Sequence, residues 1–410
     1  MSDNLDVDIT IVGGGAIGAS LALSLLRSTP LTVALVDAGK APAQFQGAEF
    51  DPRVMALSPS AIDFLQAQKV WQALVSARAC PYFSMVVWDG EGTGNVEFDC
   101  SDDHAPYLGY IVENSSLVNT LWQHLSDQSR LRFFTGHQVV AAEQGRTVVR
   151  PVGESPDCGA TVIKSALIVA ADGAHSEMRE RFGMAMRQWS YQQSAIVCTV
   201  KTEKPHGFAC RQRFSNSGPI ALLPLCQRSY GEHSHSENVS SLVWSIDNEN
   251  CPNIMALSDD AFCQILAQEF EHVLGGIHHA SQRHCFALHQ RHAKHYIQPG
   301  FALVGDAAHT IHPLAGQGAN LGFADIIALT GEIQRALARQ VPLGHFSVLQ
   351  RYQRRRKPHN LAAAATMEGF KRLFASDDLS VRWLRNRGMK MFNSQLWLKR
   401  RVARLAAGRL

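Results

Sequence analysis

The fold class is indicated by residues 8–37, DITIVGGGAIGASLALSLLRSTPLTVALVD. It begins with an apolar, β-branched run at Asp8–Val12, continues into apolar, helix-forming residues at Ala19–Leu26, and ends in a strand-like run at Leu31–Val36. Glycines separate the first strand from the helix. This order of strand, glycine turn, helix and strand predicts a βαβ unit within a nucleotide-binding sheet.

Three glycines in the turn indicate what the unit binds. Gly13, Gly15 and Gly18 form the pattern G-x-G-x-x-G, and Asp37 ends the next strand 19 residues after the last glycine. The glycines permit a tight turn and close approach of the backbone to a pyrophosphate, and the acid can accept hydrogen bonds from a ribose diol. An acid rather than an arginine there fits adenosine with a free 2′-hydroxyl, as in FAD or NAD.

Two further strand-like runs end in comparable turns. Residues 166–170 lead into Asp172, and residues 301–304 lead into Gly305. We expect all three strands to converge on one sheet. After the third strand comes a glycine-rich loop and then a predicted helix at Ala319–Leu329, whose first amides suit an anion or an electron-rich ring edge.

These motifs carry a resemblance to a known family. GGGAIGASLALSLL at 13–26, AADGAHSEMR at 170–179 and GDAAHTIHPLAGQGANLGFAD at 305–325 resemble the three fingerprints of the FAD-dependent aromatic hydroxylases of the para-hydroxybenzoate hydroxylase-like class. Within that class the chain resembles the ubiquinone-biosynthesis hydroxylases, and most of all those acting at carbon 5 of 2-octaprenylphenol. The stretches that carry this second resemblance are DPRVMALSPSAIDFL (51–65), LGYIVENSSLVNTLW (108–122), GPIALLPL (218–225) and HPLAGQGANLGF (312–323).

The resemblance implies roles for individual residues. Asp306 would contact the ribityl chain, the loop 316–320 would approach the isoalloxazine ring, and Arg53 would lie near the flavin phosphates. Asp172 and Gly173 belong to a motif that serves both FAD and the pyridine nucleotide. From the residues alone, Asp172 could equally cap a turn and Arg53 could be a surface ion-pair partner. Pattern and resemblance together predict these cofactor-binding residues: Gly13, Gly15, Gly18, Asp37, Arg53, Asp172, Gly173, Gly305, Asp306, Pro313, Gly316, Gln317, Gly318, Ala319 and Asn320.

The resemblance also implies a reaction. FAD would be the bound cofactor, NAD(P)H a transient reductant and O2 the co-substrate, and a flavin C4a-hydroperoxide would transfer oxygen to a ring carbon of a polyprenylphenol in ubiquinone biosynthesis. His312, Pro313 and Leu314 are candidates for the substrate and flavin loop, and no catalytic base is assigned. Phe214 and the run 222–225 either line the ring pocket or belong to the core.

Other functions stay open at this point. The chain could act at carbon 6 of a quinone precursor or on a soluble phenol. It could also be a flavin-binding assembly protein of the biosynthetic complex that has lost turnover. Reoxidation of the reduced flavoprotein coupled to phenol hydroxylation would distinguish a catalyst from such a scaffold.

The 410-residue chain is long enough for two domains. We expect an α/β fold with a discontinuous Rossmann-like FAD-binding domain at 1–80, 100–185 and 285–345. Alternating β-type runs, among them 194–200 and 241–246, predict a β-sheet substrate domain built from 81–99 and 186–284. From about residue 324 onward the pattern is mostly helical, and 346–410 forms a basic helical C-terminal region.

Charge is distributed unevenly along the chain. The net charge is +3, yet residues 350–410 carry 16 Lys and Arg against three acids. This region could lie on an anionic membrane surface, dock another protein of the biosynthetic complex, or be a solvated helix face. Nucleic-acid binding is disfavoured because no recognition fold is visible. Basic and apolar residues alternate there: Arg382, Arg385, Arg387, Lys390, Lys399, Arg400, Arg401 and Arg404 beside Trp383, Leu384, Met391, Phe392, Trp397 and Leu398.

The remaining sequence features concern location and metals. The acidic start enters a strand at once, and no apolar run reaches the roughly 18 residues of a membrane span, so we expect a cytoplasmic, peripherally membrane-associated protein. Nine scattered cysteines without a C-x-x-C pair predict reduced, packing thiols. His309 could fix its loop or move protons. We predict no metal, since no histidine pair has the spacing of a helical metal site.

Overall fold

The computed structural model describes residues 4–40, 42–43, 45, 49–154, 159–216, 218–227, 237–311 and 317–408. Its strands, in chain order, are β1 Asn4–Val12, β2 Val33–Asp37, β3 Val54–Leu57, β4 Cys80–Tyr82, β5 Ser84–Asp89, β6 Asn95–Asp99, β7 Gly109–Glu113, β8 Leu131–Thr135, β9 His137–Glu143, β10 Arg146–Pro151, β11 Thr161–Ala170, β12 Met186–Thr202, β13 Ala209–Phe214, β14 Ile220–Pro224, β15 Val239–Asp247, β16 Ile277–Ala280, β17 His284–Ala293, β18 Ile297–Gln298, β19 Phe301–Leu303 and β20 His309–Thr310.

The helices connect and cover these strands. In chain order they are α1 Ala16–Ser28, α2 Pro59–Ala67, α3 Trp71–Ser76, α4 Asn114–Ser126, α5 Glu177–Arg181, α6 Cys251–Met255, α7 Asp259–Glu269, α8 Gln317–Ala338, α9 Phe346–Phe374, α10 Leu379–Ser394 and α11 Leu396–Ala406. Short 3₁₀ turns lie at Cys100–Asp103 and Gly305–Ala307.

The first sheet contains the three predicted strands side by side. Its order is β18-β19-β11-β1-β2-β8, and β9 and β10 extend it from β11. Strand β1 runs parallel to β11 and β2, and β11 runs parallel to β19. Val12 pairs with both Ala170 and Val36, and Ala170 pairs with Leu303. The turns that follow β1, β11 and β19 therefore open on the same edge of the sheet.

Helix α1 covers this sheet with a largely apolar set of buried residues, which also includes Ser20 and Ser24. Leu21, Leu23 and Leu25 are completely buried, and the helix packs against α4 and α8. Helix α8 packs in turn against α9. The predicted α/β class with its Rossmann-like βαβ unit is confirmed.

A second sheet has the order β20-β17-β12-β15-β14-β13-β5-β6, with β16 on β12. The predicted runs at 194–200 and 241–246 are antiparallel neighbours within it, with Cys198 opposite Leu242. One face is covered by α7, whose Phe262 and Leu266 pack with Trp244. Strand β17 also pairs here, so the second sheet extends beyond residue 284, where we expected the substrate domain to end.

The C-terminal region is helical, as expected. Helix α9 packs on α8 and β18, α10 on β6, and α11 on the turn at Cys100–Asp103. Both sheets therefore contact this region. Among the helices that the structure describes, none combines the length and the apolarity needed to cross a membrane.

Candidate active site

The first glycine turn brings two strand ends into backbone contact. Gly13 has φ +104°, and a Cβ there would lie 2.4 Å from the carbonyl oxygen of Ala171. A Cβ at Gly18 would lie 1.8 Å from the Gly13 carbonyl oxygen. At Gly15, by contrast, a Cβ would meet no described atom within 4 Å, and no side chain of the described residues caps the start of α1. The uncapped amides thus face open space where an anion can bind.

Asp37 holds this turn in place. Its Oδ2 accepts a 2.5 Å hydrogen bond from the Gly14 amide, and its Oδ1 accepts one of 2.7 Å from the Gly39 amide. Because a carboxylate offers about four acceptor positions, it keeps capacity for a ribose hydroxyl. Trp122, which we did not predict, donates from Nε1 to the Gly14 carbonyl at 2.7 Å. It lies within the quoted stretch 108–122, so the resemblance contained this residue without indicating its role.

The second motif combines a turn cap with an unpaired oxygen. Asp172 Oδ2 accepts a 3.0 Å bond from the Met178 amide, so the carboxylate does cap a turn. Its Oδ1 is buried and has no hydrogen-bond partner among the residues that the structure describes. Burial raises the pKa of Asp172, although hydrogen bonds from Ser176 and Met178 oppose the shift. A buried acceptor without a donor is costly, and a hydroxyl or amide of a bound ligand would satisfy it.

The third motif places a carboxylate in the turn that follows β19. Gly305 turns the chain after β19 with φ +58°, and Asp306 follows it. The Asp306 side chain is exposed, yet it lies deep enough between neighbouring elements for desolvation to raise its pKa, an effect that His309 and Arg53 oppose. The structure thus brings Arg53 within electrostatic reach of Asp306, although 253 positions separate them in the sequence.

Arg53 lies where the first and second sheets meet, directly before β3, which forms a third sheet with β7 and β4. Its guanidinium stands over the ring of Phe286 on β17, 5.5 Å from the centroid, and its side chain is exposed. Its backbone is fixed by buried Asp51, which accepts 2.8 Å bonds from the amides of Arg53 and Ser115. Asp51 was not predicted, although it opens the quoted stretch 51–65.

Helix α8 packs against the turn Gly305–Ala307. Among the described residues, no atom lies within 4 Å of where a Cβ at Gly318 would be. The Asn320 side chain is bonded at both ends, because its Oδ1 accepts from the Ser58 amide at 2.9 Å and its Nδ2 donates to the Ala56 carbonyl at 2.8 Å. Asn320 thus ties the start of α8 to the segment between β3 and α2, and Ala319 beside it is half-buried.

Part of the predicted flavin loop lies outside the described residues. His312, Pro313, Leu314 and Gly316 are in this group, and only the backbone of Gln317 is described, as the first residue of α8. The roles predicted for these residues stay predictions. Gly173 is described: it has φ +82°, and a Cβ there would meet no atom within 4 Å.

His309 is held by a carboxylate that we did not predict. Its Nε2 lies 2.5 Å from Oδ2 of Asp325, and both side chains are almost completely buried. This contact fixes the loop, one of the two roles considered for His309. The sequence did carry a signal for Asp325, since an acid on the buried side of an apolar helix needs a partner.

The apolar candidates for a ring pocket belong largely to the core. Phe214 is 7% exposed and stacks on Phe374, with ring centroids 4.0 Å apart. Leu222 and Leu225 are each 2% exposed and lie in two different core clusters. Of the alternatives left open for these residues, packing fits the structure because their surfaces are already covered.

Most of the basic residues named in the C-terminal region bind within the protein. Arg385 pairs with Asp89, Arg382 with Glu91, and Lys399 with Asp102. Arg404 pairs with Asp103 at 2.5 Å, and Arg400 donates to the Asp102 carbonyl. Arg387, Lys390 and Arg401 are exposed, and Arg404 is also exposed although it is paired with Asp103.

Large apolar side chains share the exposed surface with Arg387, Lys390 and Arg401. On α10, Trp383, Leu384 and Met391 are 61–65% exposed, and Arg387 lies over the Trp383 ring at 5.3 Å. On α11, Trp397 is 64% exposed. We call these exposed residues of α10 and α11, together with Arg387, Lys390 and Arg401, the apolar-basic face.

The described ranges contain no group of three His, Cys, Asp or Glu side chains that could hold a metal ion. The eight described cysteines are free thiols. Burial raises the pKa of Cys198 and of Cys210, so these thiols are inert packing residues.

The three strand ends together fit a dinucleotide. Open amides at the start of α1 suit a pyrophosphate, Asp37 has acceptor capacity left, and the unpaired Oδ1 of Asp172 and the Asp306 carboxylate offer acceptors to hydroxyl groups. Arg53 supplies a cation next to Asp306. This arrangement at the ends of parallel strands is that of a dinucleotide-binding protein.

The chain belongs to the FAD binding domain family, which matches residues 6–367, and it is an FAD-dependent monooxygenase. It is 33% identical to the 3-demethoxyubiquinol 3-hydroxylase of Escherichia coli over 407 residues, covering 99% of both chains. It is 29% identical to the mitochondrial ubiquinone biosynthesis monooxygenase COQ6 of Danio rerio, covering 99% of this chain and 90% of the relative. The predicted resemblance to ubiquinone-biosynthesis hydroxylases is confirmed, as are the enzyme class and the FAD cofactor.

Solved structures show the same fold at low sequence identity. The p-nitrophenol 4-monooxygenase PnpA of Pseudomonas putida superposes with a TM-score of 0.76 at 17% identity, covering 98% of this chain and 97% of that one. PqsL of P. aeruginosa, in complex with 2-aminobenzoylacetate, gives 0.74 at 20% identity, covering 90% and 97%.

Proposed function

We propose that the protein hydroxylates the aromatic ring of a polyprenylated ubiquinone precursor, with O2 as co-substrate and NAD(P)H as the transient reductant. The observation that carries this proposal is the similarity to the E. coli hydroxylase over almost the whole of both chains. The position favoured by the sequence is carbon 5 of 2-octaprenylphenol. The name of the E. coli relative, a 3-demethoxyubiquinol 3-hydroxylase, favours the later hydroxylation of a demethoxy precursor as the second candidate.

Each motif would have a separate task in holding FAD. The turn from Gly13 to Gly18 and the start of α1 would bind the pyrophosphate, and Asp37 the adenosine ribose. Asp306 would accept from the ribityl chain, and the free Oδ1 of Asp172 would accept a further donor. Bound FAD supplies the redox chemistry that activates dioxygen.

The protein's own part in the reaction is to orient the ring and exclude water. Arg53 and Phe286 stand at the junction of the two sheets, next to Asp306, so they would border both the cofactor and the phenol. A nearby guanidinium favours the phenolate form of a phenol, which is the more electron-rich form. The candidates on the flavin loop, His312, Pro313 and Leu314, would complete this wall.

The apolar-basic face gives the proposal a route to its substrate. Trp383, Leu384, Met391 and Trp397 would enter the interfacial layer of a membrane, and Arg387, Lys390 and Arg401 would meet anionic head groups. A polyprenylated phenol resides in that membrane, so a protein resting on it would meet its substrate there. The same face could instead dock another protein of the biosynthetic complex.

A turnover assay tests the proposed activity. The FAD-loaded protein is incubated with NADH or NADPH, O2 and a short-chain 2-prenylphenol or a demethoxy hydroquinone, and the products are analysed by mass spectrometry with ¹⁸O2. We expect one ¹⁸O atom in the ring of one of the two substrates. Reoxidation of the flavin with hydrogen peroxide as the only product for both would reject the proposal in favour of a non-catalytic flavin-binding protein.

Deletion of the gene identifies the ring position in the cell. Accumulation of 2-polyprenylphenol would support carbon 5, and accumulation of a demethoxy quinone would support the second candidate. Normal ubiquinone levels without either precursor would exclude a required role in this biosynthesis.

A further inference from the structure

A fully buried carboxylate stands behind the Gly305–Asp306 turn. Asp325, on α8, is 0% exposed, and its two oxygens serve different partners. Oδ2 accepts from the Gly305 amide at 3.1 Å and from Nε2 of His309 at 2.5 Å. One oxygen atom therefore binds the first residue of the 3₁₀ turn that carries Asp306 and a side chain two residues beyond the end of that turn.

The other oxygen of Asp325 faces helix α9. Oδ1 accepts from Nε of Arg356 at 2.8 Å and from Nδ2 of Asn360 at 3.2 Å. Arg356 also donates to Oδ1 of Asn360 at 2.7 Å, so the two α9 side chains are fixed relative to each other. Asp325 thus connects α9 to the turn across the width of α8.

The charge of Asp325 depends on these partners. Burial on its own would raise the pKa of this carboxyl group, but the attraction of His309 and Arg356 outweighs it, and the pKa is lowered. An ionised carboxylate at such depth is stable only while its partners stay in place, because an unpaired buried charge is strongly destabilising. Loss of Arg356 would therefore make the Asp325 side chain move, and the Gly305–Asp306 turn would move with it.

We propose that Asp325 and Arg356 are positioning residues of the FAD site: through them α9 fixes the turn that presents Asp306 to the cofactor. The inference rests on the proposed contact between Asp306 and FAD. It is independent of which phenol is hydroxylated.

A neighbouring ion-pair group separates this role from simple attachment of α9 to α8. Glu332 is also 0% exposed on α8, and it pairs with Arg351 of α9 at 2.9 Å and with Arg335 and Arg355. None of its hydrogen bonds and ion pairs within the described chain reaches the Gly305–His309 turn. The two arginines Arg351 and Arg356 thus offer matched changes on one helix, of which only one is connected to the cofactor site.

The test compares R356M with R351M by titrating FAD into the apoproteins and following flavin fluorescence. We expect R356M to raise the Kd for FAD about tenfold, the effect of one misplaced charged hydrogen-bond partner, and to change the visible circular dichroism of the bound flavin. R351M should leave both properties unchanged, although it removes an ion pair between the same helices. Thermal unfolding of the two apoproteins measures the purely structural effect separately.

Two outcomes would overturn the proposal. One is an FAD affinity in R356M equal to that of the wild type; the other is an equal loss in both variants. If R356M does not yield folded apoprotein, N360A removes one donor to the same oxygen, and an unchanged FAD affinity in N360A would equally reject the proposal. Because the assay needs no aromatic substrate, failure of the hydroxylation assay would not affect its result.

Discussion

Arg385 on α10 donates two hydrogen bonds of 2.8 Å to the carboxylate of Asp89 on β5, and both side chains are almost completely buried. The same arginine donates to the carbonyls of Leu373 and Phe374 at the end of α9. This single contact thus joins α9, α10 and the second sheet. Its geometry makes the C-terminal region an integral part of the fold.

The first prediction follows from this pair. R385A leaves Asp89 buried without its charged partner, although the Asn386 side chain and the Glu91 amide still donate to it. We therefore expect the free energy of unfolding to fall by about 3 kcal/mol, the lower end of the range for a broken buried ion pair. Urea unfolding followed by circular dichroism measures the change. R387A, an exposed arginine two residues away, should change stability by less than about 0.5 kcal/mol. Similar losses in the two variants would contradict the assignment of Arg385 as the connecting residue.

A methyl group at Gly15 should affect the cofactor more than the fold. Its Cβ would enter open space in front of α1, where we propose the pyrophosphate binds. We expect G15A to weaken FAD binding by about tenfold or more, or about 1.4 kcal/mol, and to lower apoprotein stability by no more than about 1 kcal/mol. Isothermal titration and thermal unfolding separate the two effects.

Two other glycines provide the controls for that experiment. G18A would place its Cβ 1.8 Å from the Gly13 carbonyl oxygen and should prevent folding of the turn. G331A, on α8 with no atom within 4 Å of the new Cβ, should leave FAD affinity unchanged and stabilise the helix by about 0.5–1 kcal/mol. Wild-type FAD affinity in G15A would argue against a pyrophosphate at this position.

The apolar-basic face predicts binding to anionic vesicles. Replacing Trp383 and Trp397 together by Glu should lower the affinity by at least on the order of 100-fold, since each indole that enters the interface contributes about 1.5–3 kcal/mol. Cosedimentation with phosphatidylglycerol vesicles measures the effect. W189E is the matched control, because Trp189 is 41% exposed on β12, outside this face. If W189E loses as much binding, or if the double variant loses none, the membrane role is excluded.

His292 predicts a pH dependence of stability. Burial, reinforced by His309, lowers its pKa from 6.5 to about 4. The unfolded chain therefore binds a proton between these values that the folded protein does not. His292 does not lower the stability of the protein above about pH 6.5. As the pH falls from neutral to 5, this residue decreases the free energy of unfolding by about 2 kcal/mol, and the decrease continues towards pH 4.

Unfolding at two pH values checks this prediction. In H292Q the loss of stability between about pH 7.5 and pH 5 should be smaller than in the wild type by that amount. H279Q removes an exposed histidine of β16 and should keep the wild-type dependence. Identical pH dependence in H292Q and wild type would show that His292 does not titrate in this range.

The sequence sufficed for the features that depend on local pattern. The βαβ unit and the strands leading to Asp172 and Gly305 lie where apolar runs and glycine turns predicted them, because a buried parallel strand and a tight turn each need particular residue types in sequence order. The resemblance extended this to the family. The resemblance also named Asp306 and Arg53, which lie within electrostatic reach of each other in the structure.

The partners of charged residues could not be predicted in this way. A count of basic residues does not show that Arg385 meets Asp89 or that Arg404 meets Asp103, since about 300 positions separate each pair. Trp122 binds a backbone carbonyl, which carries no sequence signature, and the α9 partners of Asp325 lie 31 and 35 positions away from it. For Phe214 and Leu222 the sequence left both a pocket and the core open, because both require apolar side chains.

Helix α11 turns most of its cations towards its own chain. Lys399 and Arg404 face the acids at 102 and 103, and Trp397 points outwards. Ion pairs at exposed positions weaken as ionic strength increases, and apolar contacts do not. Concentrated salt would therefore weaken the ion pairs between α11 and the rest of the protein more than it would weaken apolar contacts of Trp397 with a lipid surface.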